Sequence, residues 1–109
     1  MKSANKTKAL YIVINAGFSD EIMTIARAAG AKGATIMTAR GEGSKQKSIM
    51  GITLDSEKEI LMMLIDGETA DRIMSAVKEQ FGRFSSAHGV CFTVPVEKTT
   101  LINNFTPQP

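Results

Sequence analysis

Tryptophan is absent from this 109-residue chain, and histidine and cysteine each occur once. A lone Cys91 permits no disulfide within the chain, the usual state of proteins in reducing compartments, so a cytoplasmic location is expected. One histidine and one cysteine also fall short of the clusters that ligate zinc or iron. No paired carboxylates stand at a helical spacing beside an apolar pocket, so no catalytic constellation is legible and an enzyme is not expected. Charge of one sign is not concentrated anywhere. Thirteen Lys and Arg are interspersed with eleven Asp and Glu, and the basic stripe that gives nucleic-acid binders their affinity is missing. Nucleic acid is therefore not an expected partner. The apolar run Ala9 to Ile14 is too short for a signal-peptide core or a membrane span.

What is present suits a small globular domain. A mass of 11.7 kDa holds one domain with one modest core. Residues 1–8 read as a polar, lysine-containing tail, residues 9–102 as the domain, and residues 103–109, which close on Thr106-Pro107-Gln108-Pro109, as a flexible C-terminal tail.

Within the domain, Leu10-Tyr11-Ile12-Val13-Ile14 is β-branched and aromatic and stops at Asn15-Ala16-Gly17, which predicts a strand and a turn. Ser19 stands where an N-cap would, Asp20 and Glu21 suit a first helical turn, and Ile22, Ile25, Ala26 and Ala29 repeat at helical spacing up to Gly30. A second strand is expected over Ala34 to Ala39 and a third over Glu59 to Ile65. A second helix follows over Gly67 to Phe81, with Ala70, Ile73, Met74, Val77 and Phe81 as its apolar stripe. The fourth strand, Val90 to Val96, contains Pro95, which belongs on a sheet edge.

The order β-α-β-β-α-β with right-handed crossovers defines an α+β, ferredoxin-like domain: a four-stranded antiparallel sheet, strands one and three central, both helices on one face. Yet Ile60 to Ile65 is apolar at every position, the pattern of a strand covered on both sides. Two helices cover one face only, so further subunits are expected on the other.

The 19 residues from Arg40 to Lys58 replace a connection that needs about 2–5 residues in an ordinary hairpin. Gly41-Glu42-Gly43 opens this segment and is the one Gly-rich step able to bring backbone N–H groups near a phosphate. It precedes no helix, so it is neither a dinucleotide fingerprint nor a P-loop. Lys45 and Lys47 either neutralise phosphate or keep a loop solvated. His88 is either a solvated loop residue or a ligand contact, whereas Cys91 and the methionines Met23, Met62, Met63 and Met74 read as packing.

Several stretches together resemble the nitrogen-regulatory PII signalling proteins. They are Leu10 to Phe18, the first helix running into Ala29-Gly30-Ala31-Lys32-Gly33-Ala34-Thr35-Ile36, the Gly41-Glu42-Gly43 step, and Gly89-Val90-Cys91-Phe92-Thr93-Val94-Pro95-Val96-Glu97. The resemblance implies a homotrimer with its sheets facing inward and an adenine nucleotide, ADP, AMP or ATP, between subunits, with no metal required. It puts Thr35 against the adenine and Gly41, Glu42, Gly43 and Lys45 at the base of the loop. Ala87, His88 and Gly89 face the phosphates. The loop from Ser44 to Ser56 is implied to engage a protein target such as a membrane transporter, through Lys47, Ile49, Met50, Ile52 and Leu54.

The chain also departs from the family pattern. Val90 stands in place of a typical Lys, Leu101 and Asn103 in place of two Arg, and Lys45 in place of a Gln. Charge-assisted hydrogen bonds contribute about 1.5–3 kcal/mol each, so mono- and diphosphates are expected to compete better with ATP than in the nitrogen regulators. Two other functions are compatible with the fold class. One is a metal-handling trimer of the copper-tolerance type; the other is an ACT-like amino-acid-binding regulatory module using the turn Asn15-Ala16-Gly17.

Overall fold

A computed structural model describes residues 6–40, 48–49, 52–53, 57–81 and 89–100. The elements are β1 (Thr7–Asn15), α1 (Ser19–Ala28), β2 (Thr35–Arg40), β3 (Ser48–Ile49), β4 (Ile52–Thr53), β5 (Glu57–Asp66), α2 (Gly67–Phe81) and β6 (Val90–Pro95). Four strands form one antiparallel sheet in the order β2-β5-β1-β6. The central pair is therefore the first and third long strands, as the crossover argument requires. β6 is an edge strand and Pro95 is its last residue, a place where a missing N–H is tolerated. The short pair β3–β4 forms a separate two-stranded ribbon, Ile49 opposite Ile52.

Cross-strand register sorts side chains onto two faces, because successive residues of a strand point opposite ways. Leu10 lies opposite Met63 and Ile12 opposite Leu61, and these four are buried under the helices. Ile22, Met23, Ile25 and Ala26 of α1 and Ile73 and Val77 of α2 complete that core. Leu10, Ile12, Ile22, Leu61 and Ile73 are the largest fully buried side chains, each stabilising the fold by about 1.5–3 kcal/mol relative to exposure.

The helix ends show what the sequence signals do. α1 ends in a Schellman motif: Gly30 N–H donates to Arg27 O at 3.1 Å and Ala31 N–H to Ala26 O at 2.9 Å. Gly30 has φ +121°, a left-handed conformation that other residues adopt only with strain. At its start the expectation of a Ser19 cap is wrong. Phe18 holds the N-cap position without a side-chain cap bond, and Ser19 is the first helical residue. The physical reason is competition, since the Ser19 hydroxyl donates to the Glu59 carboxylate on β5.

α2 is capped by Asp66, whose Oδ2 accepts from Thr69 N–H at 3.0 Å while Oδ1 accepts from Thr69 Oγ1 at 2.7 Å. Arg72 adds a tie between the helices, donating from Nε to Ala29 O at 3.2 Å and from Nη2 to Thr69 Oγ1 at 3.1 Å. The hydrogen bonds from Thr69 hold the Asp66 carboxyl below its ordinary 3.8. A lowered carboxyl favours the folded state above its unfolded value, and that contribution fades as pH falls through the folded value. Asp66→Ala should therefore reduce stability by about 1 kcal/mol near neutrality. The difference in urea midpoint from the parent should close as the pH is taken well below the ordinary carboxyl value of 3.8. A gap that persists in acid would show that the cap does not act through the carboxylate.

Candidate functional site

Of the residues expected to hold a nucleotide, two are described. Thr35 is the first residue of β2, exposed, in a row that runs Thr35, Met62, Tyr11, Phe92 across the face not covered by helices. Gly89 immediately precedes β6 at the opposite edge of the sheet. With strands about 4.8 Å apart, the two edges are separated by about 14 Å, so one chain does not bring Thr35 and Gly89 together. Gly41, Glu42, Gly43, Lys45, Ala87 and His88 lie outside the described residues, as do Lys47, Met50 and Leu54 of the expected partner loop. For Ile49 and Ile52 the backbone pairing of β3 with β4 is described.

Gly89 is a glycine because of a close approach. A Cβ there would lie 2.4 Å from the Val13 carbonyl oxygen and 2.6 Å from Ile14 Cγ2, so the chain enters β6 pressed against the end of β1. That end of the sheet also carries the root of the long segment, where β2 leaves at Arg40 and β5 returns at Glu57 opposite it.

Three consecutive residues of the returning strand hold the β1–α1 turn. Glu57 O accepts from Ala16 N–H at 2.9 Å. Lys58 Nζ donates to Asn15 Oδ1 at 2.5 Å. Half-buried Glu59 accepts from Gly17 N–H at 3.2 Å and from the Ser19 hydroxyl. Lys58 and Glu59 are neighbours on a strand and work from opposite faces of the sheet. The turn that an ACT-like ligand would use is thus engaged by the chain's own residues. Sequence reasoning assigned Glu57, Lys58 and Glu59 no role; the signal was a charged triplet directly before the apolar run of β5.

The uncovered face is apolar. Tyr11 and Phe92 stack with ring centroids 5.2 Å apart at 13°, a geometry worth about 0.5–1.5 kcal/mol beyond area burial. Around them Met37, Leu64, Val90, Phe92 and Val94 are exposed by 38 to 54%, a patch of the kind that marks a protein interface. Cys91 points the other way, opposite Ile12, and packs against the core. Burial pushes its thiol up, which disfavours the nucleophilic thiolate. Met23 and Met63 are buried and Met74 packs on the core, as expected, while Met62 belongs to the uncovered face. No helix among the described residues is long and apolar enough to cross a membrane.

The sheet order, the two helices on one face and the long connection between β2 and β5 define a ferredoxin-like α+β domain. The family model described as nitrogen regulatory protein P-II matches residues 7–104, and the chain belongs to that family, whose members are trimeric regulatory proteins that bind nucleotides. Among solved structures it is similar to a PII-like signalling protein of Thermus thermophilus, with 26% identity and a TM-score of 0.64 over 83% of this chain and 85% of that one. It is also similar to CPII, a nitrogen regulatory PII-like protein from Thiomonas intermedia bound to ADP, AMP and bicarbonate. There the identity is 18% and the TM-score 0.66 over 88% of this chain and 96% of that one, a likeness of fold. No curated protein matches the chain.

Proposed function

We propose that the protein is a cytoplasmic PII-like regulator. In this reading it is a homotrimer that binds an adenine nucleotide between subunits and controls a protein target, a membrane transporter being the kind in view, through the segment from Ser44 to Ser56. The observation that carries the reading is the placement of Thr35 and Gly89 on opposite edges of one sheet. Two half-sites on opposite edges meet when the β2 edge of one copy faces the β6 edge of the next, a head-to-tail contact that closes into a ring. The apolar face supplies the burial that such a ring needs. CPII, with the same fold, is a nucleotide-bound relative in structure. Gly41, Glu42, Gly43, Lys45, Ala87 and His88 complete the proposed site around the phosphates.

Control of a target requires only that nucleotides bind two states of the segment with different affinity. Titration calorimetry with AMP, ADP and ATP tests the ligand. Heat is expected with AMP and ADP, weaker binding with Mg-ATP because Val90, Leu101 and Asn103 stand where cations would, and a loss of affinity in Thr35→Ala. Silence with all three nucleotides would overturn the reading.

A further inference from the structure

The long segment joins the sheet at two roots, and they are held unequally. Arg40, the last residue of β2, is on an edge strand and, among the described residues, pairs on one side only. The returning root on β5 is central, pairs on both sides, and is bound to the β1–α1 turn by Glu57, Lys58 and Glu59. Glu59 is the member of this clasp that bonds to α1. One carboxylate oxygen takes both the Gly17 amide and the Ser19 hydroxyl, so β5 is tied to the first residue of α1 as well as to β1. It also fills the start of α1, where unpaired N–H groups favour negative charge.

We infer that Glu59 is a positioning residue that fixes the returning root of the 41–56 segment to the start of α1, giving the ligand-facing end of the sheet one geometry. The inference deepens the nucleotide reading and rests on it for the ligand. The clasp lies beside the β1 end against which Gly89 is pressed, so releasing it frees the segment root and the Gly89 approach together.

Amide hydrogen exchange and calorimetry on the full chain test this. Glu59→Ala should speed exchange at Gly17 by about tenfold or more while Leu10 and Ile12 stay near their parent rates, because local opening is distinguishable from global unfolding. Ser19→Ala should speed Gly17 less, and Glu59→Gln, which keeps an acceptor in place, should restore most of the protection. ADP affinity should fall by about tenfold in Glu59→Ala and recover in Glu59→Gln.

Unchanged exchange at Gly17, or an equal rise at Leu10 and Ile12, overturns the inference. So does a lost Gly17 protection with ADP affinity unaltered, since the contact would then be structural only. A parent protein that gives no heat with ADP removes the nucleotide reading instead, and the clasp then stands or falls on the exchange data. If Glu59→Ala does not fold, the same exchange comparison is made on Ser19→Ala and Glu59→Gln. A partial loss of Gly17 protection in Ser19→Ala supports the clasp, and parent-like protection in it overturns it.

Discussion

A chain carrying Phe92→Asp is expected to run as a monomer by size exclusion with light scattering at concentrations where the parent runs as a trimer. Phe92 is 41% exposed in the single chain, on the β6 side of the uncovered face, stacked on Tyr11 of the central strand β1. In the free chain an aspartate there stays solvated, so the helix-side core, which includes none of these residues, is left intact. In an assembly whose sheets face one another the same carboxylate is desolvated without a partner, a penalty of several kcal/mol per ion. Three copies multiply it. Assembly should weaken by about 100-fold or more, and far-UV circular dichroism should remain that of the parent. An intact trimer would show that copies meet elsewhere.

Gly89→Ala carries the second large effect, and it acts on stability and ligand at once. The added methyl meets a backbone carbonyl at 2.4 Å, a contact that no side-chain rotation relieves. Either β6 shifts from β1 or the approach to β6 is rebuilt. Overpacking of this kind typically costs about 1–3 kcal/mol. The urea midpoint should fall with the m-value unchanged, and binding of ADP should be lost even at temperatures where the variant is folded. A variant that keeps both would mean that the close approach relaxes freely.

Much of the fold was legible because its signals are local. The span of α2 follows from its apolar spacing, the end of α1 from Gly30, and the edge position of β6 from Pro95. The doubly apolar β5 reported an uncovered face before any register was known, and the register then put Met62 and Leu64 on it. Less was legible where partners are distant in sequence. Ser19 reads as a cap from its neighbours, but its hydroxyl is taken by Glu59, 40 residues away. The same holds for Gly89: the sequence places it in the loop before the last strand, whereas the constraint is contact with Val13. Of the candidate site, order and family pattern named the residues, and the crossover argument, by putting strands one and three at the centre, already left Thr35 and Gly89 at opposite edges. The register that sets Thr35 in one row with Met62, Tyr11 and Phe92 had no local signal.

If the nucleotide contacts both Thr35 and Gly89, as proposed, their placement on opposite edges makes assembly and ligand binding a single equilibrium. A nucleotide touching both residues binds copies already joined, so it must tighten their association by the same factor by which association tightens the nucleotide. Apparent affinity then rises with protein concentration. At low abundance the ligand would act as the agent that gathers the subunits, and the level of the protein itself would set the threshold at which the nucleotide is sensed.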